Sequence, residues 1–120
     1  MMTGYRKHRV EELVRQCLAE IVAFKIKDPR VTGVTITEVN MSPDLKSARV
    51  YFSCLGDDKM ADHQRGLESA ESFLRKKLRE DLDLKYIPHL SFHYDTAFEN
   101  SLKINTILKK LKVEDLAESE

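Results

Sequence analysis

The sequence predicts an α+β domain in which three strands are covered by amphipathic helices. Two observations carry that prediction. The stretch Asp28 to Leu55 reads as two antiparallel strands joined by a tight connection. A two-stranded hairpin is marginal alone in water, and on both sides of it apolar residues recur with the helical period. At 120 residues, 42% of them hydrophobic, the chain has the size and composition of one domain with one core.

Residues 5–26 open the chain as a helix. Val10, Leu13, Val14, Cys17, Leu18, Ile21 and Val22 keep the i, i+3, i+4, i+7 spacing of a single buried stripe. Lys25 and Lys27 stand where cations favour a helix C-terminus, and Pro29 prevents continuation. In the first strand Val34 and Ile36 fall on one face, Val39 and Met41 on the other. Either a bulge near Thr37–Glu38 shifts the phase, or helix ends cover both faces. Ser42-Pro43-Asp44 starts the connection, with proline presetting φ and Asp able to bond nearby backbone. The second strand alternates cleanly: Ala48, Val50, Phe52 and Cys54 inward, Arg49, Tyr51 and Ser53 outward.

Gly56-Asp57-Asp58-Lys59 is a polar turn before a second helical region, Asp62 to Leu82. Leu67, Ala70, Leu74 and Leu78 form its apolar line. Ala70-Glu71-Ser72 marks an expected kink, with Ser72 as a possible cap for a helix starting at Phe73. One slightly bent helix fits the same pattern. After Pro88, Leu90, Phe92 and Tyr94 alternate with Ser91, His93 and Asp95 as a third strand. Thr96 and Glu99 have capping-box spacing, and Leu102, Ile104, Ile107, Leu108 and Leu111 mark a C-terminal helix to about Lys112. Residues 1–113 are thus expected to form a single domain, followed by an acidic, flexible tail at 114–120.

Charge is balanced overall, with 20 Lys+Arg against 20 Asp+Glu, but not along the chain. Residues 1–30 carry seven bases (Arg6, Lys7, Arg9, Arg15, Lys25, Lys27, Arg30) against four acids, while 114–120 holds four acids and no base. A second basic group, Arg75, Lys76, Lys77 and Arg79, with Lys85 further on, follows the expected kink. Such groups are either a solvated face or a set of phosphate contacts. The polar N-terminus and the lack of a long apolar run predict a soluble, cytoplasmic protein without a membrane partner. Cys17 and Cys54 read as reduced thiols on apolar faces.

The sequence offers little for catalysis. The glycines at 4, 33, 56 and 66 are unclustered, so no phosphate-cradling loop is expected, and no nucleophile or zinc-protease motif occurs. His89, His93 and Asp95 are evenly spaced on one strand, but a further ligand is not apparent and His63 is remote in sequence. No enzyme, metal or cofactor is expected.

The first six elements, α-β-β-α-α-β, follow the order of a type II KH domain, a fold that binds single-stranded nucleic acid. The GXXG loop of such domains is missing; Ala70-Glu71-Ser72 occupies its place. Several stretches resemble the ribosome-binding factor A family. They are Asp28-Pro29-Arg30, Val34-Thr35-Ile36-Thr37, Val39, Met41-Ser42, Asp44-Leu45, and Ala48-Arg49-Val50-Tyr51. Arg9-Val10 and Leu13, Leu74-Arg75, Leu78, Leu82, and Pro88-x-Leu90-x-Phe92 before Asp95 extend the likeness. It spans roughly Arg6 to Lys112 and implies a KH-like fold with an interrupted helix in place of the GXXG loop. The family's Ala-x-Gly kink is matched at Ala70-Glu71, with Ser72 where glycine is typical.

By this resemblance the protein is a monomeric, non-nuclease factor. It binds free small ribosomal subunits or their 16S rRNA precursor, and not DNA, and assists late maturation of the 16S 5′ end. The candidate RNA contacts are Arg6, Lys7, Arg9, Lys25, Lys27, Arg30, Arg75, Lys76, Lys77, Arg79 and Lys85. A free-standing KH-like module for single-stranded RNA and a protein–protein adaptor are the alternatives.

Overall fold

The structure, a computed structural model, describes residues 4–54 and 59–97. The expected turn at 56–58, the C-terminal helix and the acidic tail lie outside the described residues. The described elements are α1 (Gly4–Phe24), a 3₁₀ turn (Pro29–Val31), β1 (Thr35–Met41), β2 (Ser47–Ser53), α2 (Met60–Ser69), α3 (Glu71–Asp81) and β3 (His89–Tyr94). β2 is central, antiparallel to β1 and parallel to β3. This is the α+β arrangement expected from the sequence, in the order expected for a type II KH-like domain.

The helices cover one sheet face. Val14, Leu18 and Ile21 of α1, Leu67 of α2, and Leu74 and Leu78 of α3 are buried against Ile36, Val39 and Met41, Ala48, Val50 and Phe52, and Leu90 and Phe92. The opposite face carries Asn40, Arg49 and Ser91 in one rung, and Glu38, Tyr51 and His93 in the next.

The phase puzzle of β1 is resolved by a bulge. The register slips between Ile36 and Glu38, so Thr37 is the extra residue and Ile36, Val39 and Met41 all face the core. Thr37 Oγ1 then donates to Asp95 Oδ2 at 2.6 Å. Asp95 is therefore buried rather than sharing the solvent face of His89 and His93.

Three local expectations are corrected. Ser53, expected outward, is buried at the end of β2, where the strict alternation stops. Leu13 is 43% exposed, because the stripe of α1 is narrower than its apolar sequence: only Val14, Leu18, Ile21 and Val22 are fully covered. The helix break falls at Ala70, inside the expected 70–72 stretch, with φ −89° and ψ 0°, but it is not capped by Ser72. The Ala70 N–H is shared between the carbonyls of Gly66 and Leu67, each at 3.1 Å, while its own carbonyl accepts from Leu74. α3 starts at Glu71 with no side-chain cap, so Ser72 is an exposed residue of its first turn rather than a cap.

A candidate electropositive interface

The outer edge of β3 is sealed by side chains from α2 and α3. Arg75 donates through Nε to the Pro88 carbonyl at 3.1 Å and through Nη2 to the Ile87 carbonyl at 3.2 Å. Glu71 accepts from the Leu90 N–H at 3.2 Å, and Gln64 donates to the Phe92 carbonyl at 2.6 Å. Edge strands point alternate backbone groups outward, and residues 88, 90 and 92 follow that period. Across the sheet, Glu11 of α1 accepts from the Met41 N–H at 2.7 Å. Arg75, a candidate RNA contact by sequence, is thereby tied to the fold.

Arg30 is tied down as well. The Asp28 carboxylate caps the 3₁₀ turn by accepting from the Arg30 N–H at 2.9 Å. It also takes a forked pair of bonds from the Arg30 guanidinium, the closer at 2.7 Å. That guanidinium holds the Asp28 carboxyl below its usual range, and the carboxylate raises Arg30 in return. The turn is the seat of α2. His63 Nδ1 bonds the Arg30 carbonyl, and Gly66 lies so close that an added Cβ would stand 2.8 Å from Arg30 Cβ and 3.0 Å from Val31 Cγ1. The Asp-Pro-Arg motif thus explains itself as a docking platform: a cap, a preset φ and a close helix approach.

The remaining candidates sort by their surroundings. Lys77 is half-buried, 3.2 Å from Glu80 and with its ammonium 5.7 Å from the Phe73 ring centre. Lys25 reaches Asp81 at 3.9 Å, joining the end of α1 to the end of α3. Asp81 also meets Cys17; burial, with the nearby Asp81 charge, pushes this thiol up to about 11. Arg9, Lys27, Lys76 and Arg79 are exposed, with no ion pair, hydrogen bond or ring contact among the described residues. Lys7 is half-buried. Lys76 and Arg79 lie one turn apart on the outer face of α3. Arg6 and Lys85 come together around one cavity between α1 and the connection before β3.

Two cations lie outside the basic runs of the sequence. Lys46 stands alone in the β1–β2 turn, its Nζ 5.2 Å from the Tyr86 ring centre. Arg49 is exposed on the open sheet face. Alternation already placed Arg49 outward; for Lys46 no local signal exists, since Tyr86 is forty residues away. Among the described residues no three metal-ligating side chains gather, and no helix is long and apolar enough to cross a membrane.

The profile of the ribosome-binding factor A family matches residues 6–108. The chain belongs to this family. A ribosome-binding factor A from Syntrophobacter fumaroxidans is 40% identical over 109 residues, covering 88% of this chain and 93% of the relative. One from Halothermothrix orenii is 35% identical over 120 residues, 99% of this chain and 98% of the relative. Among solved structures, ribosome-binding factor A from Thermus thermophilus superposes with a TM-score of 0.68 at 26% identity, covering 73% of this chain and 93% of that one. Coordinates of the Thermus protein fitted into a cryo-EM map of its 30S complex superpose with a TM-score of 0.61 at 27% identity, with the same coverages. The family relationship expected from the hairpin motifs is thus established over nearly the whole domain.

Proposed function

We propose that this protein is a non-catalytic assembly factor that docks on free small ribosomal subunits or their precursors and assists late maturation of 16S rRNA, including its 5′ end. The observation that carries this reading is family membership, joined to a relative fitted into a map of its complex with the 30S subunit. The surface chemistry supports it. Arg9, Lys27, Lys76 and Arg79 present cations uncompensated by neighbouring carboxylates among the described residues. Arg6, Lys7, Lys25, which also reaches Asp81, and Lys85 are further candidate contacts. Contacts of this kind position a protein on structured RNA through phosphates without reading its sequence. Arg75 and Arg30 contribute through the fold, and Lys77 at most through its residual exposure.

The reading leaves the chemistry of processing to other proteins: the factor biases the shape of the precursor, and a nuclease cuts it. It acts as a cytoplasmic monomer and uses no metal or cofactor. The test is sedimentation of cell extracts containing the tagged full chain. Cofractionation with free small subunits, but not with translating ribosomes, is expected, together with accumulation of 5′-extended 16S precursor when the protein is depleted. Exclusive cosedimentation with messenger RNA, or depletion with normal 16S ends, would overturn it.

A further inference from the structure

A cavity of about 370 Å³ opens between the start of α1, the β1–β2 turn and the connection from α3 to β3. Its lining includes the apolar side chains of Val10, Met41, Leu45 and Leu84, with Arg6 and Lys85 among its polar residues. Tyr86, 45% exposed, forms one wall. Two ammonium groups stand by this ring, Lys46 Nζ at 5.2 Å and Lys85 Nζ at 5.4 Å from its centre. Leu45 has a left-handed backbone, φ 61°, where glycine is the ordinary choice. That strained turn sets its half-buried side chain into the cavity lining.

We infer that this cavity receives a single unstacked RNA base, with the adjoining phosphate held by Lys46 and Lys85. An exposed aromatic wall, an apolar lining and two cations beside the aromatic ring are the parts that single-stranded recognition requires. The two carboxylates of the lining fix the direction of entry. Asp44 is already engaged by the Ser42 hydroxyl at 2.6 Å and the Lys46 N–H at 3.0 Å. Asp83 repels a phosphate from the interior and can accept a hydrogen bond from the amino group of a base. The base therefore enters and the phosphate stays at the lysines. A messenger or ribosomal strand offers the same chemistry; the identity of that strand as ribosomal rests on the function proposed above.

The experiment is a titration of the isotope-labelled full chain with short oligoadenylate, followed by amide NMR shifts, beside pelleting with purified small subunits. Shifts concentrated at Leu45, Lys46, Leu84, Lys85 and Tyr86 are expected. Tyr86→Ala should weaken oligoadenylate by about tenfold or more, because the base no longer has a ring to stack on. Tyr86→Phe should bind like wild type, and Lys46→Ala with Lys85→Ala should flatten the salt dependence. Shifts confined to other surfaces, or equal binding by folded Tyr86→Ala, would overturn the base site whatever the pelleting shows. Failure of the wild type to pellet with small subunits, with the NMR response intact, would overturn the ribosomal assignment and leave the base site standing.

Discussion

Arg75 separates a structural cation from an RNA-binding one. Its guanidinium spans two consecutive carbonyls, Ile87 and Pro88, at 3.2 and 3.1 Å. Hydrogen bonds from a charged donor contribute about 1.5–3 kcal/mol each, and these are only partly buried, so the lower end applies. Arg75→Ala should therefore cost about 2–3 kcal/mol, out of a total expected near 5–15 kcal/mol. In a chain of this size that lowers Tm by roughly 10 °C or more. Arg75→Lys keeps the charge but not the fork, so it should still lose about 1–2 kcal/mol. Urea denaturation of both variants measures this, with small-subunit binding read on the folded protein. If Arg75 were a phosphate contact, Arg75→Lys would be stable and bind well, and Arg75→Ala would be stable and bind poorly. That pair of results would refute the edge-sealing role.

Three further predictions follow from the geometry. Gly66→Ala forces a Cβ to 2.8 Å from Arg30 Cβ; overpacking of about 1–3 kcal/mol should exceed the gain of about 1 kcal/mol in helix propensity, giving net destabilisation by denaturation. Ser72→Ala should be neutral or slightly stabilising in the same assay, since Ser72 is an exposed first-turn residue and no side chain caps α3. Cys17 has its folded pKa raised from 9.0 to about 11. A raised value favours the folded state fully below pH 9 and loses that advantage as pH climbs toward 11. Stability measured from pH 8 to 11 should therefore fall more steeply in wild type than in Cys17→Ala, and identical slopes would count against the burial of this thiol beside Asp81.

Periodicity made most of the fold legible. The alternation of β2 as far as Phe52 and the inward line Leu67, Leu74 and Leu78 read directly, because period and burial are the same fact seen twice; Ser53, expected outward, is buried at the strand end. β1 left two readings open, since one extra residue reverses every later side chain and only the pairing partner reveals it. Leu13 misled because an apolar residue at stripe spacing says nothing of how wide the covering surface is. The site was less legible. Arg30 pairs with a carboxylate two residues back, a spacing that helix-face rules pass over. Arg75 looked like its neighbour Lys76 in sequence, yet a rotation of about 100° per residue turns one to the β3 edge and the other to water. Lys46 acquires its meaning only from a tyrosine across the fold.

Cations that the fold leaves without a carboxylate partner, Lys76 and Arg79 among them, are proposed to hold this protein to the small subunit. Lys76→Glu with Arg79→Glu changes two exposed positions one turn apart on α3. Pelleting with purified small subunits across a salt series, with circular dichroism as the folding control, measures the consequence. The double variant should fold and bind far more weakly, with a log–log salt slope reduced by roughly 0.7–0.9 for each phosphate that it no longer neutralises. A folded variant that binds as tightly as wild type at every salt concentration, with the same slope, would contradict it.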